Sequence, residues 1–274
     1  MTEYSFETLT VEIDSFVAEV ALNRPEVGNS MSPTMFRELG EVFTSLDRDE
    51  RVRAVLLRGN GKNFTYGLDL QAAMVDLGPH MAGGLAGPRT ELRQFIRDLQ
   101  HQCSGPARCR KPVVAAIHGW CIGGGIDLTS ACDVRICSSD ARFSVREARI
   151  GIVADLGSLQ RLPKIIGDAA TRELALTAKD IDAERALRLG LVSDITEPGD
   201  ALIERGRQEA QTIASLPPLV VQGVKHILDW QDGKTVGDSL DYVATWNAAY
   251  LASEDLGEAV GAFFAKRAPE YKGR

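Results

Sequence analysis

Three segments hold the residues whose types and spacing could do chemistry. The first is His118-Gly-Trp-Cys-Ile-Gly-Gly-Gly-Ile-Asp127, where an apolar run opens into three glycines and then a helical pattern. Glycine lets the backbone approach a ligand closely and take unusual dihedrals. The first turn of a helix leaves N–H groups unpaired and carries a partial positive charge. Together these suit negative charge. Three readings follow. The charge could be a phosphate, although no Gly-Lys-Ser/Thr follows as in a P-loop. It could be an oxyanion that develops during a reaction, met by preset N–H donors. Or the glycines could serve only close strand–helix packing.

The second segment carries carboxylates. Asp127, Glu147 and Asp155 all come after or at the end of the glycine turn. Asp127 falls in the first turn of the new helix, where an acid is also favoured by the helix dipole alone. Glu147 lies between Arg146 and Arg149, which offers a plain surface ion pair. Asp155 stands in Gly-Ile-Val-Ala-Asp-Leu-Gly157. A lone acid among apolar residues is costly unless paired or protonated. Its alternative is an N-cap for a helix starting near Leu156.

The third segment is Arg58-Gly-Asn-Gly-Lys-Asn-Phe-Thr-Tyr-Gly-Leu-Asp-Leu70, another strand–turn–glycine passage. The segments together closely resemble the crotonase superfamily, also called the enoyl-CoA hydratase/isomerase family. The matching runs are Gly67-Leu68-Asp69, Lys111 to Gly119 and Gly123 to Gly125. Leu22-Asn23-Arg24-Pro25 with Asn29, Gln160 to Pro163, Gly190-Leu191-Val192 and Phe263 to Arg267 add to them, so the resemblance spans nearly the whole chain.

The resemblance implies an α/β fold, a crotonase-like spiral of β-β-α units with a C-terminal helical trimerisation region. It implies an acyl-CoA substrate whose thioester oxygen is held by the backbone N–H groups of Leu68 and Gly124. Losing one such donor typically costs ~3–4 kcal/mol. It places coenzyme A against Arg24, Val27, Tyr66, Gly67, Leu68, Asp69, Leu70, Phe263 and Lys266. Lys266 would reach a neighbouring subunit's CoA 3'-phosphate, in a trimer or stacked hexamer. No metal and no separate cofactor are implied, coenzyme A being part of the substrate. Hydratases of the family carry glutamates at the positions of Asp127 and Glu147 and a glycine at that of Asp155. Aspartate at the first position and the extra acid at the third look like the dienoyl-CoA isomerase branch, which moves a 3,5-diene into 2,4-conjugation. That shift takes a proton from C2 and returns one at C6, ~5 Å away along an extended diene, so two carboxyls suit it. A buried pair can hold one ionised and one protonated member. The expected roles are Glu147 as base at C2, Asp155 as acid at C6, and Asp127 as the residue that orients or tunes them. An enoyl-CoA hydratase using Asp127 and Glu147 on water is the alternative. Tyr66 departs from the family's small residue before the glycine, and would either narrow the acyl pocket or simply pack.

These groups need elements to hold them. Thr8 to Asn23 alternates as two strands of a hairpin around Asp14-Ser15. Ser32-Pro33 starts a helix that runs to about Asp49, with Phe36, Leu39, Val42, Phe43 and Leu46 on one face. Val52 to Arg58 and Pro112 to His118 read as strands, the second buried on both faces. Gly78 to Gly87, with His80, reads as a loop bordering the acyl tail. Thr90 to Gln102 is an amphipathic helix, Gly119 to Gly125 a turn, and Ile126 to Cys132 a helix. Val134 to Cys137, Ala141 to Phe143 and Leu191 to Ile195 read as strands. Helices cover Ser158 to Ala178 and Ala183 to Leu189. Almost all of Asp200 to Lys266 is helical, broken at Pro217-Pro218. The expected division is a core over 1–199 and a helical oligomerisation region over 200–274.

The whole chain sets limits. Its 274 residues are ample for a sizeable core. A net charge of -7 without a Lys/Arg block disfavours nucleic acid, including the RNA binding known in some crotonases. No apolar run reaches the ~18 residues of a membrane span. An acidic start without an apolar stretch, and an end in Tyr-Lys-Gly-Arg, lead to the expectation of a cytoplasmic protein. The five cysteines have no Cys-x-x-Cys spacing and read as buried reduced thiols.

Overall fold

The computed structural model describes residues 4–81 and 85–274, and the backbone but not the side chains of 79–81. Among the described residues nine strands form two sheets. The larger contains β1 (Leu9–Asp14), β2 (Val17–Leu22), β3 (Ala54–Gly59), β4 (Val113–Ile117), β6 (Val134–Ser138) and β9 (Ile195–Thr196), in the order β1-β2-β3-β4-β6-β9. The smaller contains β5 (Trp120–Ile122), β7 (Arg142–Ser144) and β8 (Ile181–Asp182). Only the β1–β2 pair in the larger sheet is antiparallel. Its two-residue turn puts Ser15 and Phe16 at positive φ, the hairpin geometry that matches strand twist.

The two sheets are built together. β4 is followed at once by β5, and β6 by β7, so each circuit of the chain leaves one strand in each sheet. Bridges of Thr65 to Cys121 and Met31 to Leu68 continue the smaller sheet into two earlier circuits. This is the expected spiral, and the site segments are its successive turns.

Helices α1 (Pro33–Arg48), α2 (Leu70–Met81), α3 (Ala86–Cys103), α4 (Gly105–Arg108), α5 (Gly124–Ser130), α6 (Ser158–Ile166), α7 (Asp168–Thr177) and α8 (Ala183–Leu189) surround these strands. The Ser32 hydroxyl accepts from Met35 N–H, and Pro33 follows at the first helical position. Phe36, Leu39, Phe43 and Leu46 of α1 share one core with Leu57, Ile117 and Phe143. Helices α9 (Asp200–Ala214), α10 (Pro218–Trp230), α11 (Val236–Tyr250) and α12 (Glu254–Ala265) complete the chain. Leu202 and Ala210 of α9 bury the other face of the larger sheet against Leu56 and Ala116. The 200–274 region therefore begins within the core of 1–199. In contrast, α11 has no buried residue.

Three local expectations change. Gly78 to Met81 is the end of α2, not loop, and α3 resumes at Ala86. The rest of the expected loop, residues 82–84, and the His80 side chain lie outside the described residues. The glycine turn contains β5, because its backbone pairs with Thr65 and β7. Leu191 to Ile195 supplies only the start of β9, since the preceding residues leave the Gly190 helix cap, which has a left-handed conformation. All five cysteines are buried and unbonded to one another, as expected. Among the described residues no helix is long and apolar enough to cross a membrane.

One buried cation joins the late helices to the strands. Lys225 Nζ on α10 donates to Asp133 Oδ2 at 2.8 Å and to the Pro106 carbonyl at 2.8 Å. Asp133 Oδ2 in turn accepts from Val113 N–H at 2.7 Å, at the start of β4. Asp133 reaches solvent, so losing the cation costs less than the ~3–5 kcal/mol of a fully buried pair. Lys225→Met is therefore expected to lower unfolding free energy by roughly 1–2 kcal/mol in urea titration, while leaving the turnover of the folded fraction unchanged.

Candidate active site

The site starts where two backbones cross without side chains between them. Gly67 has φ +79, and a Cβ there would lie 2.5 Å from the Ile122 carbonyl oxygen and 3.3 Å from Gly124 N. A Cβ on Gly125 would lie 2.5 Å from the Thr65 methyl group. Only glycine permits this approach. Asn29, fully buried, fixes the loops behind it: its amide donates to the Asn60 and Asn63 carbonyls and its oxygen accepts from Arg24 N–H.

The crossing brings the backbone nitrogens of Leu68 and Gly124 close together. The Met31 bridge uses Gly67 O and Asp69 N, at 2.7 and 3.1 Å, so the intervening Leu68 N–H takes no part in it. Gly123 N–H donates to the Ser144 carbonyl. Gly124 is the first residue of α5, and its N–H has no acceptor among the described residues. A Cβ on Gly124 would lie 3.8 Å from Leu68 N. The expected oxyanion pair is thus brought together.

All three acids reach the same cavity, about 410 Å³ in volume, whose apolar wall includes Leu68, Leu70, Ile122, Ile150, Ile152 and Leu156. Glu147 opens a 3-10 turn, Glu147–Ile150. Its Oε1 would lie 3.0 Å from a Cβ on Gly123, so the missing side chain there makes room for the carboxylate. Its Oε2 is buried without a hydrogen-bond partner. Burial first, then the Asp127 charge, pushes Glu147 up to about 7. The alternative ion pair does not form: Arg146 and Arg149 turn to Asp180 at 2.8 and 3.8 Å, and Arg146 also stacks on Trp120.

Asp127 is 1% exposed and accepts from Ser158 N–H at 2.6 Å. It therefore caps the N-terminus of α6, a task that local reading offered to Asp155. Burial pushes Asp127 up to about 6, against the Ser158 hydrogen bond and helped by Asp155. Asp155 takes no part in that cap. It lines the cavity half-buried, and burial raises its carboxyl above the ordinary range. The Gln100 side chain holds its carbonyl at 2.7 Å. Sequence reading missed the Asp127 cap and the Ile150, Ile152 and Leu156 wall. The apolar run from Ile150 to Val153 was the available signal for the wall.

The proposed coenzyme A contacts divide into two groups. Tyr66, Gly67, Leu68, Asp69 and Leu70 follow the crossing, and Arg24 pairs with Asp69 at 3.0 Å. The Asp69 carboxylate also accepts from Ala72 N–H in the first turn of α2. The Tyr66 ring packs against Gly28, the residue after Val27, and lines the cavity. Phe263 and Lys266 stand apart. Both are exposed at the end of α12, and neither lines the cavity of its own chain.

Comparison with known proteins agrees with this geometry. The enoyl-CoA hydratase/isomerase family description matches residues 12–274. A mitochondrial delta(3,5)-delta(2,4)-dienoyl-CoA isomerase of Dictyostelium discoideum is 42% identical over 99% of this chain and 93% of its own. A peroxisomal one of Arabidopsis thaliana is 43% identical over 99% of both. The crystal structure of an enoyl-CoA hydratase from Bacillus anthracis superposes with a TM-score of 0.88 at 28% identity, over 98% of this chain and 100% of the other. The compartments of the two isomerases overturn the cytoplasmic expectation. That expectation rested on the composition of the terminal segments, and a compartment address is read by a receptor and leaves no mark on the fold.

A raised carboxyl also has a stability signature. Glu147 binds its proton more tightly folded than unfolded, so its contribution is full below about pH 4.5 and is lost as pH rises through about 7. Glu147→Gln removes that loss. Its melting temperature is expected to match wild type near pH 4 and to exceed it by roughly 4 °C at pH 8, measured by calorimetry across that range.

Proposed function

The chain belongs to the enoyl-CoA hydratase/isomerase family, and from that premise we propose that it converts a 3,5-dienoyl-CoA to the 2,4-dienoyl-CoA. The observation that carries this reading is the third acid: Asp155 faces the cavity instead of capping a helix. A hydration would need only two carboxyls on one water. The isomerase names of the two relatives support the same conclusion.

In the proposed reaction the thioester oxygen sits between Leu68 N–H and Gly124 N–H. Glu147, as the carboxylate, takes the C2 proton. The electrons spread from C2 through C6 and onto the oxygen, where the two donors meet the charge. Asp155, as the acid, gives its proton to C6, leaving double bonds at C2 and C4. Each turnover exchanges the protonation states of the two acids, and proton exchange resets them. Three mutually repelling carboxyls in one apolar cavity support this division, since they cannot all ionise cheaply. No cofactor enters the scheme.

The same reading extends to assembly. Phe263 and Phe264 are each 78% exposed, and Leu256 and Val260 open onto the same region of α12. Leu240, Tyr250 and Leu251 do so near α11. A trimer, or two stacked as a hexamer, would cover these surfaces and carry Phe263 and Lys266 to a neighbour's coenzyme A. Light scattering of the 29.7 kDa chain is expected to give a trimer or hexamer; a stable monomer at micromolar concentration would overturn this arrangement.

The chemistry is tested by separating its two proton transfers. Asp155→Asn is expected to slow dienoyl-CoA isomerisation by ~10²–10⁴-fold, while exchange of the C2 proton with deuterated solvent largely survives. Glu147→Gln should suppress both exchange and isomerisation. Wild-type isomerisation by Asp155→Asn would remove the main support and bring the hydratase reading forward.

A further inference from the structure

Residues 267–274 are tied down by the helix that precedes them. Lys266 ends α12 at φ +53, a left-handed turn that sends the chain back along the helix. The segment then retraces α12 without helix or strand of its own. The Arg267 guanidinium forks onto Glu258 at 2.5 and 2.9 Å, and Glu270 N–H donates to the same carboxylate at 2.8 Å. Asp255 is 3% exposed, and it accepts from Lys272 N–H at 2.7 Å and from Gly273 N–H at 2.9 Å. At the start of the helix, Glu254 N–H donates to the Arg274 carbonyl at 2.8 Å. That bond satisfies one of the N–H groups that a helix start leaves unpaired.

These bonds alone would make a helix with its own tail folded on it. Two further contacts fasten the pair to the body. Arg53 Nη2 donates to the Tyr271 carbonyl at 2.7 Å. Arg53 is itself held at the β1–β2 turn: its N–H donates to the Phe16 carbonyl at 2.7 Å, and its guanidinium lies 3.9 Å over the Phe16 ring. The Gly273 backbone lies on Pro218 at the start of α10, where a Cβ would meet the proline ring at 3.4 Å. In its own chain α12 has little other hold. Of its twelve residues Asp255 and Ala262 are the buried ones. We propose that residues 267–274 are a strap that sets the position of α12, with Arg53 and Asp255 as its fastenings, and that these two are positioning residues for coenzyme A at the neighbouring subunit's site. A nearly buried carboxylate is tolerable only while donors meet it, so Asp255 admits one placement of the strap. Arg53 relates that placement to the larger sheet, whose β3 begins at the next residue. Phe263 and Lys266, at the far end of α12, inherit it. Their contact with coenzyme A would lie away from the reacting carbons, so it bears on binding and not on the proton transfers. The effect on binding rests on the assembly proposed above; the strap's hold on α12 does not.

Hydrogen exchange followed by mass spectrometry tests the strap in the whole chain, and kinetics tests its use. Asp255→Ala removes the acceptor of two N–H groups. Exchange of the α12 amides is expected to speed up by about tenfold or more, with the β4 amides at the wild-type rate. Arg53→Met should speed the same α12 amides by a similar factor, although among the described residues Arg53 bonds to the tail and not to the helix. Unchanged α12 exchange in either variant, or acceleration that extends equally to β4, overturns the proposal. With 3,5-dienoyl-CoA both variants should raise KM by about tenfold at constant kcat. An unchanged KM, or a fall in kcat instead, also overturns it. If Asp255→Ala does not fold, Arg53→Met carries both readouts. A monomeric wild type would sink the assembly reading and leave α12 exchange to judge the strap. A wild type inactive on dienoyl-CoA would sink the isomerase reading, and affinity for a saturated acyl-CoA by calorimetry then replaces KM.

Discussion

Everything at the site depends on two stretches of backbone touching where side chains would hold them apart. The Thr65–Leu68 loop lies across Ile122–Gly125 because Gly67 and Gly125 present no Cβ. The contact is a sheet contact, continued from the Thr65–Cys121 bridge, so it inherits the rigidity of both sheets. The Leu68 and Gly124 nitrogens are thereby brought close together from two turns of the spiral. Neither could be moved without breaking strand pairing. Preset donors of this kind need no reorganisation when charge arrives, which is what gives them their value in a water-poor cavity.

The acids around that crossing are held in opposite ways. Asp127 is tied: it caps α6 and is nearly inaccessible. Glu147 and Asp155 are left loose toward the cavity, with burial raising both. A cap on a helix is normally a local affair between neighbouring residues. Here the cap comes from 31 residues away, and so joins α5 to α6 and sets the wall from which Asp155 projects. The structural acid and the reactive acids are thus one connected arrangement, and a change in one is felt by the others.

Much of this could be read from residue order, and what could not has a common cause. The hairpin, α1 with its Ser32-Pro33 start, the buried strand β4 and the glycine turn follow from local pattern, and so does the gathering of Asp127, Glu147 and Asp155 after that turn. The misread features are non-local. Gly78-Pro79 signals a loop, yet α2 runs through it to Met81, local propensity being only a weak guide. Arg146 and Arg149 look like partners for Glu147, but Asp180, brought alongside from the next circuit, takes them. Asp155 looks like a cap because it stands before a helix, but the cap position is filled from another helix. Neighbours in space but not in sequence decided each of these.

The five thiols carry a consequence of their own. Each is buried, and burial pushes them up, Cys109 to about 11 and Cys132 and Cys137 to about 12. The nucleophilic species is the thiolate, so in the closed fold these sulfurs are almost inert to alkylating agents and peroxides. They sit at the end of α3, on β5, beside α4, after α5 and on β6, all in the middle circuits of the spiral. The rate at which each sulfur becomes alkylable therefore reports how often its own layer opens. The chain carries, without any added label, a set of clocks for the local breathing of its core.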